Sequence, residues 1–238
     1  MTPPRLDPRR RGKGGLPVPS TYLVTDRRRL PEARTLAGEL AALEAWIDAA
    51  VEAGLDAVQI RERDLPARTL TDVAIACCRR AAGRPTRILI NDRMDVWLAS
   101  GADGVHLRAD GPPASRVRSS FAEATEDKSS VAKAMGLIGR STHTLDEIAA
   151  GQDADYVIFG PVFPTPSKPP GSPAAGLDGL RAAVAASRVP VLAIGGIDGT
   201  NARACLDAGA AGIAAIGLWM PGPDLGARVW AVREKKVD

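Results

Sequence analysis

Eight short apolar runs recur along the chain, at Tyr22–Thr25, Ala57–Arg61, Ile88–Ile90, Gly104–Leu107, Leu137–Gly139, Tyr156–Phe159, Val191–Ile194 and Gly212–Ile216. Most neighbouring runs are separated by an Ala- and Leu-rich stretch whose apolar spacing is near 3.6, as in 36–53, 68–82, 175–186 and 201–208. Runs that are apolar throughout, such as Tyr156-Val157-Ile158-Phe159, suit strands hidden on both faces. Strand and helix signals in alternation predict a parallel sheet. Eight repeats in 238 residues favour a closed sheet over an open one, because a (β/α)8 barrel takes about 250 residues. The fold expected is therefore a single α/β domain, a (β/α)8 TIM barrel over residues 21–235. Only 4% of residues are aromatic, so the core must be built from Ala, Val, Ile and Leu.

An internal echo marks the even-numbered runs. The chain reads Gly54-Leu55-Asp56-Ala57-Val58, then Gly101-Ala102-Asp103-Gly104-Val105, Asp153-Ala154-Asp155-Tyr156-Val157, and Gly209-Ala210-Ala211-Gly212-Ile213. The leading glycine, absent only from the third copy, would end the preceding helix in a left-handed turn. A two-strand unit used four times suits a barrel whose interior layers come from alternate strands.

Two segments fall outside this rhythm. Residues 1–20 carry Arg5, Arg9, Arg10, Arg11 and Lys13 among prolines and glycines, and read as a disordered, solvated basic tail. It has no apolar centre, so it is no secretory signal, and the net charge of +3 gives little reason to expect nucleic acid as a partner. The polar stretch 119–135 reads as the end of a short helix followed by a flexible insertion. No apolar run has the roughly 20 residues of a membrane span. Cys77, Cys78 and Cys205 form neither a disulfide framework nor a metal-ligand pattern and read as packing residues, which fits a reducing, cytoplasmic setting.

In such barrels chemistry gathers where strands end. The second run yields Gln59, Arg61 and Arg63, which period two puts on one face. Inward guanidinium groups at a strand end call for an anion. The third run ends in Asn91-Asp92, the fourth gives His106 and then Asp110, and the fifth gives Ser141 and His143. After the sixth come Thr165, Ser167 and Lys168, two hydroxyls and an ammonium within four residues. The seventh ends in Gly195-Gly196 and the eighth in Ile216-Gly217, where bare backbone N–H groups can approach a phosphate. Asp92, near these cations, suits Mg²⁺ bridging phosphate oxygens. Each element has a plainer reading. Asn91-Asp92 can cap a helix, Gly195-Gly196 can be a tight turn, and His143 can be a structural histidine.

These residues together resemble the thiamine-phosphate synthase/TenI superfamily. The matching pieces are VQIRERD (58–64), INDR (90–93), GADGVHL (101–107), GRSTH (139–143), ADYVIFGPVFPTPSK (154–168), AIGGI (193–197) and GAAGIAAIG (209–217). The resemblance spans about residues 21–220. It implies a transferase of thiamine biosynthesis that joins 4-amino-5-hydroxymethyl-2-methylpyrimidine diphosphate to a thiazole phosphate and releases diphosphate. It further implies that Gln59, Arg61, Arg63 and Asn91 contact the pyrimidine diphosphate. Ser141 and Lys168 would hold the diphosphate, Thr165 and Ser167 would meet the thiazole, and Gly196, Ile216 and Gly217 would take its phosphate. Asp92 would ligate Mg²⁺. The second acidic ligand of the family falls at Gly111, with Asp110 beside it. A second branch of the superfamily isomerises a thiazole carboxylate phosphate with a histidine at the position of His143. A barrel that binds phosphorylated ligands without turnover is the third reading. The resemblance allows a homo-oligomer.

Overall fold

The computed structural model describes residues 15–31, 35–123, 136–169 and 171–234. Eight parallel strands form a closed barrel in sequential order, as the alternation of runs predicts. They are β1 Ser20–Val24, β2 Ala57–Ile60, β3 Arg87–Asn91, β4 Gly104–Leu107, β5 Leu137–Thr142, β6 Tyr156–Phe159, β7 Val191–Ala193 and β8 Gly212–Ala215. The outer helices are α1 Leu36–Glu52, α2 Ala67–Ala81, α3 Met94–Ser100, α4 Ala114–Glu123, α5 Leu145–Ala150, α6 Gly176–Ala186, α7 Ala202–Asp207 and α8 Leu225–Arg233. Strand β1 pairs with β2 through Tyr22 and Ala57 and with β8 through Ser20 and Gly212, which closes the sheet.

The wall separates two apolar layers by strand parity. Leu23, Val58, Ile60, Ile88 and Ile90 face outward and pack with Leu43, Trp46 and Ile47 of α1 and Leu70 and Val73 of α2. Tyr22, Val24, Ala57, Leu89, Tyr156 and Ile158 face inward as a smaller cluster. A Cβ on Gly139 would lie 2.2 Å from the Tyr156 ring, so the glycine makes room for that inward tyrosine.

The echo has a structural reason. Asp56 accepts a bond from the Thr21 N–H of β1 at 2.8 Å, Asp103 from the Ile88 N–H of β3 at 2.8 Å, and Asp155 from the Ile138 N–H of β5 at 2.7 Å. Each aspartate thus caps the start of the strand before its own. Each also pairs with an arginine: Asp56 with Arg233, Asp103 with Arg87, and Asp155 with Arg118. The fourth copy carries Ala211 and forgoes both. The expected left-handed glycines occur at Gly54, Gly101 and Gly209, with φ of 78°, 70° and 97°.

The boundaries at the two irregular segments are specific. Residues 1–14 lie outside the described residues, but Leu16 is buried in the inner cluster and Ser20 opens β1, so the barrel begins before residue 21. Of 119–135, residues 119–123 continue α4 and 124–135 lie outside the described residues. Cys77 and Cys205 are buried packing residues and all three thiols are free. Among the described residues no helix is long and apolar enough to cross a membrane.

Candidate active site

A cavity of about 770 Å³ opens at the carboxyl ends of the strands. It is lined by Gln59, Arg61, Arg63, Asn91, Asp110, Ser141, His143, Thr165, Ser167, Lys168, Gly195, Gly196, Ile216 and Gly217. Sequence reasoning singled out each of these. Asp92 alone of the candidate residues is not on the cavity wall. It lies behind Arg108, whose Nε is 3.3 Å from its Oδ2.

The cationic side is held from below. Thr25 Oγ1 accepts a bond from the Arg61 N–H at 2.9 Å and donates to Glu62 at 2.7 Å. Buried Arg27 bridges Glu62, Asp64 and Glu39, which locks the ends of β1 and β2 together. Period two then turns Glu62 into the wall and Arg61 and Arg63 into the mouth. Among the described residues Arg61, Arg63 and Lys168 have no carboxylate partner. Burial, and then the neighbouring Arg63 charge, lower the pKa of Arg61, so this corner is poised for an anion.

A polar chain crosses the barrel floor. Gln59 Nε2 donates to Asn91 Oδ1 at 2.8 Å, Tyr22 OH donates to Gln59 Oε1 at 3.2 Å, and the Tyr22 and Tyr156 hydroxyls are 2.8 Å apart. Tyr156 OH is 3.4 Å from His106 Nδ1, and His106 Nε2 is 2.9 Å from Ser141 Oγ. Burial lowers the His106 pKa to about 3, aided by the nearby Arg61 charge, so the ring is neutral and relays orientation to Ser141. Asn91 is therefore bonded across the floor, and neither it nor Asp92 caps α3.

Asp92 adopts φ 60°, a left-handed conformation unusual for a residue with a side chain. Arg108 Nε is also 3.0 Å from Asp110 Oδ1, so one guanidinium faces both carboxylates. The loop after β4, which carries Arg108 and Asp110, is pinned from behind. Buried Arg140 of β5 donates to the carbonyls of Ala109, Gly111 and Pro112 at 2.7, 2.9 and 2.8 Å. His143 directs Nδ1 to the Gly160 carbonyl and accompanies Glu147 on the cavity wall.

The glycines after β7 serve packing as well as access. A Cβ on Gly195 would lie 2.5 Å from Pro161 and one on Gly196 2.3 Å from the Pro164 carbonyl oxygen. Val162 N donates to Ile194 O and Phe163 N to Gly195 O, at 2.8 and 3.0 Å. The loop bearing Thr165, Ser167 and Lys168 is thereby seated on the Gly195–Gly196 backbone. Sequence reasoning passed over Arg29, Arg108, Glu147 and Asp198 on the wall, and noticed His106 without giving it a role. The inward parity of β4 was the available signal for His106. Arg29, Arg108 and Asp198 sit in short connections without periodicity, and Glu147 lies in the first turn of α5.

Fold and mouth define a (β/α)8-barrel enzyme with a cation-lined site at the carboxyl ends of its strands. The chain belongs to the thiamine monophosphate synthase family, whose model matches residues 21–218. It is 38% identical over 217 residues to a thiamine-phosphate synthase of Roseiflexus castenholzii, covering 88% of this chain and 86% of that one. It is 34% identical to a thiamine-phosphate synthase of Methanoculleus marisnigri, over 78% of this chain and 84% of that one. The solved structure of a thiamine phosphate pyrophosphorylase from Pyrococcus furiosus superposes with a TM-score of 0.69 at 30% identity, covering 90% of this chain and 93% of that one.

Proposed function

We propose that this chain is a thiamine-phosphate synthase, joining 4-amino-5-hydroxymethyl-2-methylpyrimidine diphosphate to a thiazole phosphate with release of diphosphate. The observation that carries the reading is one mouth in which Arg61, Arg63 and Lys168 face the cavity without carboxylate partners, while Gly195, Gly196 and Gly217 line it too. Such a mouth suits two phosphorylated ligands.

The reaction needs no protein nucleophile. The bond between the pyrimidine methylene and the diphosphate oxygen breaks, and the electron-rich aminopyrimidine carries the resulting positive charge. The thiazole nitrogen then forms the new C–N bond, and the electron pair of the broken bond leaves with diphosphate. Arg61 and Lys168 stabilise charge growing on the leaving group. Ser141, held by neutral His106, contacts it. Gln59 and Asn91 orient the pyrimidine, and Thr165 and Ser167 the thiazole, which aligns the two rings. Asp92 and Asp110 both meet the Arg108 guanidinium, so two hard oxygen donors lie near one cation position, which fits Mg²⁺ once Arg108 turns aside. Bound there, the ion would add charge neutralisation at the diphosphate oxygens.

The test is direct. Purified protein is incubated with both substrates and Mg²⁺, and thiamine phosphate is sought by fluorescence of its oxidised product. Arg61→Ala and Lys168→Ala are each expected to lower turnover by about 10²-fold. Absence of product, together with interconversion of thiazole carboxylate isomers that is lost in His143→Ala, would replace this reading with an isomerase. Ligand binding without either reaction would replace it with a binding protein.

A further inference from the structure

Three consecutive arginines follow β1, and the structure separates their roles. Arg27 is buried and holds Glu39, Glu62 and Asp64. Arg28 pairs with Asp64 at 3.0 Å. Arg29 makes no ion pair and no side-chain hydrogen bond among the described residues, and it lines the mouth. Its Nη2 lies 4.0 Å from the point where a Cβ on Gly217 would stand.

That corner otherwise lacks positive charge. The cavity wall contributed by β7, β8, β1 and the loops after them consists of Ile194, Gly195, Gly196, Ile197, Asp198, Ala215, Ile216, Gly217, Val24 and Arg29. Arg29 is the one cation in this set. The Asp198 carboxylate is engaged by the backbone N–H and hydroxyl of Thr200, at 2.8 and 2.6 Å. Backbone N–H groups can orient a phosphate at Gly196 and Gly217, but they leave its double negative charge unneutralised. Since β1 pairs with β8, the loop after β1 is the neighbour able to deliver a guanidinium there.

We infer that Arg29 is the charge-neutralising and specificity-determining residue of the phosphate subsite formed at Gly195, Gly196 and Gly217, selecting a phosphorylated thiazole over the free alcohol. This rests on the synthase reading for the identity of the thiazole. The chemistry recognised is a phosphate monoester.

The experiment compares wild type, Arg29→Ala and Arg29→Lys by calorimetric titration with the thiazole phosphate, the unphosphorylated thiazole alcohol and inorganic phosphate. Arg29→Ala is expected to weaken the phosphorylated thiazole about 10- to 100-fold and inorganic phosphate in parallel, with the alcohol unchanged. Lys should restore part of the loss, as a point charge without the fork. Because Arg29 is exposed, thermal unfolding of the variants should match wild type. Equal phosphate affinity in Arg29→Ala and wild type overturns the assignment, and so does wild type that binds alcohol and phosphate ester alike. The synthase reading is judged separately, by thiamine phosphate formation. Loss of phosphate selectivity in a protein that forms no thiamine phosphate supports Arg29 and sinks only the synthase reading.

Discussion

The Nε of Arg108 lies 3.3 Å from Asp92 Oδ2, and the same atom lies 3.0 Å from Asp110 Oδ1. A tethered cation therefore stands where the two acidic candidates for Mg²⁺ converge, so a metal ion held there as proposed would compete with the guanidinium for the same oxygens. Removing the competitor should tighten metal binding. Arg108→Gly is expected to bind Mn²⁺ roughly three- to tenfold more tightly than wild type, measured by electron paramagnetic resonance of the free ion, since half-exposed pairs are each worth under about 1 kcal/mol. Unchanged or weaker Mn²⁺ binding would show that Arg108 is no competitor.

Asp92 itself is held in a left-handed conformation at φ 60°, where a side chain is disfavoured. Asp92→Gly should therefore stabilise the fold by roughly 0.5–1 kcal/mol, the relief of strain being partly offset by the looser unfolded chain. The same change should abolish Mn²⁺ binding. Chemical denaturation and metal titration on one sample test both halves. A destabilised variant would mean that the Arg108 pair outweighs the strain.

His106 is neutral in the folded protein because burial lowers its pKa to about 3, against the ordinary 6.5. The unfolded chain binds the proton first, so this residue adds nothing above pH 6.5 and costs stability as pH falls from 6.5 towards 3. The slope approaches 1.4 kcal/mol per pH unit within that window. His106→Asn removes the titration. Urea midpoints of wild type should fall faster than those of the variant between pH 6 and 4, and parallel curves would refute the assignment.

Asp56 is buried and serves Thr21 and Arg233 together, through bonds of 2.8 Å to the Thr21 N–H and 2.6 Å to the guanidinium. Asp56→Ala removes the carboxylate partner of the half-buried Arg233 guanidinium and of the buried Thr21 N–H at the amino ends of the strands, and should cost about 3 kcal/mol by urea denaturation. Asp103→Ala should cost less, since its pair with Arg87 is half exposed. A reversed order would contradict the capping account.

Strand existence was legible because burial on both faces leaves a compositional trace. The run Tyr156–Phe159 is read as a strand from its residues alone, and the structure keeps the same bounds. Gln59, Arg61 and Arg63 were legible as a set because parity is a local property of a strand. The echo was visible as well, but its meaning was not. Nothing local says that Asp103 reaches back to the N–H of Ile88. Arg29 and Arg108 stayed hidden for a related reason. Arg29 ends a single 3-10 turn and Arg108 lies in a loop, and a guanidinium acquires a role only from the groups that the fold sets opposite it.

The apolar periodicity by itself determined the barrel, its strand parity and the strand ends on which chemistry would gather, since these follow from repeating local geometry. The tertiary structure alone decided how charges are shared. Closing β8 onto β1 brought Arg29 to Gly217, and the loop after β4 brought Arg108 between Asp92 and Asp110. Electrostatic partnership depends on distance in space between residues far apart in sequence, and a chain read in one dimension does not carry that distance.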